Sequence, residues 1–286
     1  MKKMVAAAVM LAIACWYAVA ASKPANHAQF IPVQIPGALS TVVKAIRNDG
    51  IVAGSYGTNK DHCFVLNGKQ YLTLDVPKAW GDDTSCNGIN SAGTLVGSYE
   101  AKTEIRAFIY QNGKFTDISP NDGLAVAYAI NDSGMVVGNY SEDGDHSDGF
   151  LWDGTTYTRI DVPGATDTFA TGINNQGVVV LQWDDYPSSV GTHSSLFDGA
   201  TYTSIDIPSA ASTFAYAINN VGDVAANWDD AKGHVHGAIR YAGEWHPFMA
   251  PGATATFVYG INDHDVMTGY WFVRSSHTGS GMKVIP

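Results

Sequence analysis

The sequence predicts an all-β protein, a six-bladed β-propeller with four strands in each blade. An isoleucine-centred segment recurs with spacings of 41–45 residues, at Ile46, Ile89, Ile130, Ile173, Ile218 and Ile261. A repeat of this length is typical of a propeller, a solenoid or an array. Each unit holds four short strand-like runs divided by turn residues, and no segment after residue 20 has a sustained helical period. Four strands per unit and few units favour a closed ring over a β-helix or a linear array.

We name the four strands of each unit A to D in chain order. Strand A ends at the repeated isoleucine, which always follows an alanine or a glycine. Small residues suit the innermost strands, where the blades crowd around the axis. Strand D is followed by a recurring proline, which suits an edge strand because proline lacks the backbone donor for further pairing. These prolines are Pro36, Pro77, Pro120, Pro163, Pro208 and Pro251.

An asparagine follows the isoleucine in five of the six units, and in four of these a glycine stands three positions later. This pattern predicts a turn between strands A and B, because asparagine bonds its own backbone and glycine accepts a positive φ. We interpret the row as structural rather than as a ring of ligands. The first unit has Arg47 instead of asparagine, and the sixth has Asp265 instead of glycine.

The two ends of the chain predict how the ring closes. Residues 29–36 have the pattern of a D strand, and residues 281–286 that of a sixth C strand. The N-terminal strand then completes the last blade and covers a sheet edge. The sequence predicts one propeller domain over residues 28–286, after a short segment at 21–27.

The first 20 residues have the features of a secretory signal peptide. Lys2 and Lys3 precede an apolar run over residues 4–20, which ends in the small-x-small site Ala18-Val19-Ala20. We therefore expect a secreted or periplasmic protein. The alternatives are a transmembrane anchor, for which the run is marginal in length, and lipoprotein cleavage before Cys15. No second apolar run is long enough to span a membrane.

Cys63 and Cys86 are the two cysteines outside this N-terminal region. They fall in different units, and nothing in their spacing places them in contact. An exported protein can nevertheless pair its cysteines, so the sequence leaves a disulfide open. Neither belongs to a Cys-x-x-Cys motif, which argues against a zinc or redox site built on cysteine.

The net charge of −11 argues against binding of duplex nucleic acid, which requires a basic face. The acidic residues concentrate in the D-to-A and B-to-C loops, which share one face of a propeller. We call it the loop face and, by analogy with other propellers, expect a ligand there. The D-to-A loop before unit two contributes Trp80, Asp82 and Asp83.

An aromatic residue stands ten positions after each repeated isoleucine, at Tyr56, Tyr99, Tyr140, Trp183, Trp228 and Trp271. Such rings can stack on the flat apolar face of a sugar, and packing between blades is the alternative interpretation. The units with tryptophan add acids and histidines in their B-to-C loops. The candidate ligand-binding residues are Tyr99, Tyr140, Trp183, Asp184, Asp185, His193, Trp228, Asp229, Asp230, His234 and His236.

The same loops suggest two kinds of metal site. Asp143 and Asp145 indicate a calcium site with oxygen ligands, although the twelve-residue loop of an EF-hand is absent. His234 and His236 lie two residues apart, on the same side of a strand, a spacing that can chelate a metal or supply an acid and a base. A solvated acidic surface is the alternative interpretation of the carboxylates.

The combined pattern x-I-N-x-x-G-x-V-V-G-x-Y, then a His/Ala/Phe-like C strand, then I-D-V-P-G-A, resembles the extracellular HAF-repeat family of bacterial proteins. His62-Cys63-Phe64 and His236-Gly237-Ala238 approximate the triplet that names the family, and the other units depart further. The resemblance covers essentially the whole chain after residue 20. It implies an exported bacterial protein with a propeller-like fold, and it implies no reaction and no functional residues.

The sequence favours an exported module for ligand binding or interaction, whose partner is a glycan or another exported protein. The first alternative is an exported hydrolase or lyase that uses clustered Asp and His with calcium assistance. The second is a structural surface protein. No G-x-S-x-G, H-E-x-x-H, P-loop or dinucleotide motif is present, so no catalytic residue is assigned.

Overall fold

The computed structural model describes residues 28–286 except 79, 103, 121–122, 143, 187–190 and 274–277. The described residues form 24 strands in six four-stranded sheets. These sheets are the blades of a propeller, so the predicted fold class is confirmed. In this part of the chain no helix is long and apolar enough to cross a membrane. The predicted signal peptide and the segment 21–27 lie outside the described residues.

The strands follow one another across each blade in chain order, from A at the channel to D at the rim. The first strand, β1 (Gln29–Val33), belongs to the last blade. Blade one contains β2 (Ser40–Ile46), β3 (Val52–Gly57), β4 (Asp61–Asn67) and β5 (Gln70–Thr73). Blade two contains β6 (Gly81–Ile89), β7 (Leu95–Ala101), β8 (Ile105–Gln111) and β9 (Lys114–Asp117). Blade three contains β10 (Leu124–Ile130), β11 (Val136–Ser141), β12 (Asp148–Trp152) and β13 (Tyr157–Ile160).

The remaining three blades repeat this order. Blade four contains β14 (Asp167–Ile173), β15 (Val179–Asp184), β16 (His193–Phe197) and β17 (Tyr202–Ser204). Blade five contains β18 (Ser212–Ile218), β19 (Val224–Asp229), β20 (Val235–Tyr241) and β21 (Glu244–Phe248). Blade six contains β22 (Ala255–Ile261), β23 (Met267–Val273) and β24 (Thr278–Ile285), and β1 is its fourth strand. Strand β1 pairs antiparallel with β24, from Gln29 opposite Ile285 to Val33 opposite Gly281, which confirms the predicted closure.

The hydrophobic core of the described residues consists of six buried clusters, each between two neighbouring blades. Between blades two and three, for example, Val96 and Ala107 of blade two pack with Ala125, Val136 and Phe150 of blade three. The alternation of side chains along a strand places apolar groups on both faces of every blade. Each blade therefore depends on its two neighbours for its core.

The glycine of the repeated V-V-G segment makes room for a large neighbour. In blade three Gly138 lies opposite Phe150, and a Cβ at this glycine would overlap the carbonyl oxygen of Val126 and lie 2.7 Å from the phenylalanine ring. Blades one and two have the same glycine–phenylalanine pair, and all three phenylalanines are fully buried. Blade four reverses the sizes, with buried Leu181 opposite Ser195. A small residue on strand B is thus matched by a large one opposite it on strand C, or the reverse, so that the pair fills a similar volume of the core.

The five repeated asparagines link the blades to one another. Each accepts a hydrogen bond at Oδ1 from the backbone N–H four residues later, at 2.8–3.0 Å, which confirms the predicted turn. Each also donates from Nδ2 to a backbone carbonyl of the next blade, at 3.1–3.3 Å. All five are buried, at 3–6% exposure. They are Asn90, Asn131, Asn174, Asn219 and Asn262, and the last donates to the carbonyl of Arg47.

The interface between blades one and two is built differently, because Arg47 has no carboxamide to donate to blade two. Here a disulfide joins Cys63 of β4 to Cys86 of β6, with Cα atoms 5.0 Å apart. The spacing of the cysteines did not reveal this contact, because it arises only when strand C of one blade packs against strand A of the next. Both cysteines are fully buried. The disulfide thus stands at the one interface that lacks the asparagine link.

Reducing the disulfide is expected to lower the free energy of unfolding by about 3 kcal/mol, because the cross-link closes a loop of 23 residues. Urea unfolding with and without reductant measures the difference. Reduction also avoids the cavities that two Cys→Ala substitutions leave in the core. Equal unfolding midpoints in the two conditions would contradict a stabilising role at this interface.

Arg47→Asn is expected to raise the free energy of unfolding by about 1 kcal/mol, because the new amide can donate to the Asn90 carbonyl. Arg47→Ala is the matched control, since it removes the same guanidinium and supplies no amide. The two variants are compared by urea unfolding. Equal stability of Arg47→Asn and Arg47→Ala would show that such an amide adds nothing at this interface.

Candidate functional site

The six repeated aromatic residues lie near the ends of the B strands, where the chain approaches the loop face. Each is opposite a residue at the start of strand C, so the two side chains stand next to each other on one side of the blade. The pairs are Tyr56 with His62, Tyr99 with Arg106, Tyr140 with Asp148, Trp183 with His193, Trp228 with His236 and Trp271 with Ser280.

Blades one and four extend this pair to an aromatic–histidine–aspartate arrangement. The imidazole stacks on the aromatic ring, with centroids 5.0 Å apart in blade one and 4.6 Å in blade four. Its Nδ1 lies 2.7 Å and 2.9 Å, respectively, from a carboxylate that follows strand D. The residues are Tyr56, His62 and Asp75 in blade one and Trp183, His193 and Asp206 in blade four.

Sequence reasoning missed both aspartates of this arrangement. A signal was present, because each follows its histidine by 13 positions and precedes the recurring proline by two. The spacing acquires meaning only when strands C and D are known to pair.

Blade two has Arg106 in place of the histidine, and here the aromatic ring is not available to a ligand. The Tyr99 hydroxyl and the Arg106 guanidinium both donate to Asp117 at 2.7 Å. Tyr99 is only 5% exposed and belongs to the core between blades one and two. Burial raises the pKa of its hydroxyl well above the ordinary value. The sequence-based assignment of Tyr99 to ligand binding is therefore corrected: Tyr99 is a core residue.

Blade three surrounds Tyr140 with charges. The ring packs partly against the core between blades two and three. Beside it, Arg159 bridges Asp148 at 2.7 Å and Asp161 at 3.0 Å. The guanidinium bridges the two carboxylates, so Tyr140 stands beside an ion-pair network.

Blade five brings together five of the eleven predicted ligand-binding residues. The His236 ring stacks on Trp228 with centroids 4.5 Å apart. Oδ2 of Asp230 lies 2.9 Å from Nδ1 of His234 and 3.4 Å from Nε2 of His236. Burial, together with the charge of Asp230, raises the pKa of the neighbouring Asp229 carboxyl. This is the one group of three potential metal ligands found among the described residues.

The other predicted acids are dispersed. Asp184 ends β15 opposite Asp167, and Asp185 follows it, half-buried. Asp145 is exposed, and it belongs to no group of three potential metal ligands within the described residues. Asp143, its predicted partner in a calcium site, lies outside the described residues.

The loop face contains a cavity of about 560 Å³ between blades one and two. Trp80 of the D-to-A loop lines it, together with three acids and three lysines, which carry no net charge at neutral pH. The ammonium of Lys60 lies 3.6 Å from Oδ1 of Asp82. The six charged residues are Lys60, Lys78, Lys102, Asp82, Asp83 and Glu100.

The sequence analysis placed Trp80, Asp82 and Asp83 on the loop face but did not select them as ligand-binding residues. A length difference marks this loop. The proline after strand D and the buried threonine of the next A strand are seven positions apart here, at Pro77 and Thr84. They are five positions apart in the D-to-A loops that enter blades one, four, five and six. The two extra residues distort the start of β6 and shape the cavity.

The opposite face has a cavity of about 280 Å³ at the A-to-B turns. Its wall includes the asparagine row, whose amides bond their own turns and the next blade. Between the two faces the central channel contains a smaller cavity of about 90 Å³. Its lining includes Tyr128, Tyr216, Tyr259 and Lys44. The ammonium of Lys44 donates to Ser85 Oγ at 2.6 Å and to Asn87 Oδ1 at 2.9 Å. Burial lowers the pKa of Lys44 to about 8.

Comparison with known proteins shows the class of fold. No protein-family model and no curated protein matches the chain. The SapL1 lectin in complex with alpha-methyl fucoside matches with a TM-score of 0.54 and 10% identity, over 82% of this chain and 88% of the lectin. The Aleuria aurantia lectin, a six-bladed propeller that recognises fucose, matches with a TM-score of 0.51 and 11% identity, over 86% of this chain and 96% of the lectin. The propeller domain of the Trilobed protease from Pyrococcus furiosus matches with a TM-score of 0.50 and 11% identity, over 85% of this chain and 95% of the domain.

The structural similarity shows the six-bladed propeller fold, and at 10–11% sequence identity it shows no function. The matching structures include both lectins and a protease domain, because one fold carries many unrelated functions. The function therefore has to be argued from the loops of this chain.

The Lys44 ammonium makes stability depend on pH. Between about pH 8 and pH 10 the unfolded chain keeps the lysine proton that the folded state has released, so the free energy of unfolding is expected to rise by about 1 kcal/mol per pH unit. Urea unfolding across this range tests it, with Lys44→Met as the control that should reduce the rise to the part that the half-buried Lys283 contributes, since burial also lowers the pKa of Lys283. A rise of equal size in Lys44→Met would assign the effect to another group.

Proposed function

We propose that the protein is an exported bacterial propeller that binds a glycan on its loop face. The observation that carries the proposal is the cavity of about 560 Å³ between blades one and two, lined by Trp80 and six charged side chains. Its volume lies in the range of roughly 300–1,000 Å³ that is usual for ligand pockets.

The lining of this cavity suits a sugar. The Trp80 ring offers an apolar surface for the C–H face of a pyranose. Three ammonium groups can donate hydrogen bonds to hydroxyl oxygens, and three carboxylates can accept hydrogen bonds from hydroxyl groups. Because the charges cancel, the site requires no net charge on its ligand. Directional donors and acceptors around one aromatic ring provide both affinity and orientation.

The structural neighbours support this proposal at the level of the fold. Two of them are lectins, and the SapL1 structure contains alpha-methyl fucoside. The half-buried rings of Trp183 and Trp228 lie on the same face, and although each has a histidine stacked on one side, they are further positions for contact with a sugar. A protein with several such positions would bind a branched or repeated glycan through more than one blade.

Export is supported by two features. The first is the apolar N-terminal run behind Lys2 and Lys3. The second is the buried Cys63–Cys86 disulfide, since disulfides form and persist in oxidising compartments. The resemblance to the HAF-repeat family points in the same direction.

One observation favours hydrolysis as a second candidate function. In blade one, Thr58 Oγ1 lies 3.1 Å from Nε2 of His62, whose Nδ1 lies 2.7 Å from Asp75. A hydroxyl, an imidazole and a carboxylate in this order can activate the hydroxyl as a nucleophile. Thr58 directly precedes Asn59 and Lys60, which line the cavity.

The proposal is tested with a glycan array followed by calorimetry on the best ligand, with alpha-methyl fucoside included. Trp80→Ala is expected to weaken binding by about 2 kcal/mol, roughly 30-fold in Kd, as for a buried tryptophan at the centre of an interface. Lys78→Ala, at an exposed position of the cavity, is expected to weaken binding by a smaller factor.

The matched controls lie at the opposite end of the blades. Trp152→Ala and Lys69→Ala change the same residue types near the turns of the other face and should leave Kd unchanged. The absence of any bound glycan, or equal losses in Trp80→Ala and Trp152→Ala, would refute the proposed site. Release of a product that stops in His62→Ala would favour the hydrolase instead.

A further inference from the structure

We propose that Asp230, His234 and His236 in blade five form a binding site for a divalent transition metal ion such as zinc. This inference goes beyond the proposed function, because glycan binding in the cavity between blades one and two needs no metal. It rests on the geometry of the three side chains and on how blade five differs from its neighbours.

The ligand atoms are already close to the spacing that a metal requires. Oδ2 of Asp230 lies 2.9 Å from His234 Nδ1 and 3.4 Å from His236 Nε2, and all three atoms lie within 4.8 Å of one another. Ligands at about 2.1 Å from a tetrahedral zinc ion are about 3.4 Å apart. The His234 side chain is 55% exposed, so its ring can adjust to close the remaining gap.

Two of the three ligands are held in place by their surroundings. Oδ1 of Asp230 accepts hydrogen bonds from the backbone N–H of Lys232 at 2.8 Å and of His234 at 3.0 Å. This arrangement directs Oδ2 toward both imidazoles. The His236 ring is stacked on Trp228 with an interplanar angle of 19°. Such support from outside the ligand set lowers the cost of ordering the site when the metal binds.

Blade five differs from blades one and four at the position that matters. In those blades the histidine of strand C bonds an aspartate that follows strand D, Asp75 or Asp206. In blade five the corresponding residue is Met249. His236 therefore lacks the carboxylate that this position supplies in blades one and four, and its Nε2 lies 3.4 Å from Asp230 Oδ2 instead. The added His234 supplies the third ligand.

The ligand types select the class of metal. Two imidazoles and one carboxylate suit zinc, copper, nickel or cobalt, whereas calcium prefers oxygen ligands alone. Three protein ligands leave a coordination position open, as in zinc sites that bind a substrate or an exogenous ligand. Of the three ligand side chains, that of His234 is the most exposed, at 55%.

The experiment is a calorimetric titration of the untagged protein with zinc chloride, repeated with cobalt chloride and read by visible absorption. We expect saturable binding of one ion per chain. His234→Gln and His236→Gln should each weaken it by more than the roughly 10–100-fold that loss of an outer-shell partner costs. His193→Gln is the matched control, because it removes a histidine that stacks on tryptophan and bonds an aspartate, while Gly191 stands at the position that corresponds to His234.

Each outcome decides the proposal. Loss of binding in the two blade-five variants, with His193→Gln unchanged and all variants folded by circular dichroism, supports the site. Absence of saturable binding in the unaltered protein overturns it. Retention of binding in the His234→Gln/His236→Gln double variant also overturns it and assigns the ion to another position. Because no glycan is present in the titration, failure here leaves the glycan proposal to its own test.

Discussion

The propeller depends on a buried asparagine side chain that forms hydrogen bonds in two directions. Its carbonyl oxygen fixes the turn between strands A and B, and its amide reaches the neighbouring blade. A buried amide without partners would cost about 1–3 kcal/mol, so the turn geometry and the distance between blades are determined together. A second row of bonds, from the backbone N–H of one blade to a side-chain oxygen of the next, strengthens the same end. It runs from Ser91 through Asp132, Asn175, Asn220 and Asp263 to Asn48.

The interface between blades one and two departs from this regular pattern on both faces. At the turns, Arg47 interrupts the asparagine row, and the disulfide between Cys63 and Cys86 supplies a covalent link. On the loop face, two extra residues open the cavity lined by Trp80. Sites that bind ligands commonly break the local rules that the rest of a fold obeys. The disulfide holds blades one and two together in the core, while the cavity separates them on the loop face.

The repeated positions predicted the fold because each acts locally. The isoleucine, the asparagine turn and the proline after strand D gave the blade count, the turns and the shared last blade. Contacts between units were harder to predict. The partners of Cys63 and of His62 depend on how strands pack or pair, and spacing alone does not contain that information. The group at His234 and His236 was partly visible, because two residues separated by one lie on the same side of a strand.

The pairing of β1 with β24 joins residues from nearly the whole length of the chain. Loop-closure entropy grows only with the logarithm of length, at about 0.6 kcal/mol per doubling, so this closure is not much costlier than a local one. We nevertheless expect the pairing of β1 with β24 to form late in folding, because contacts between residues far apart in the sequence form slowly. Until the last residues are available, the sheet of blade six has an unpaired edge that another chain can occupy. A chain that lacks these residues therefore exposes a sheet edge that favours aggregation.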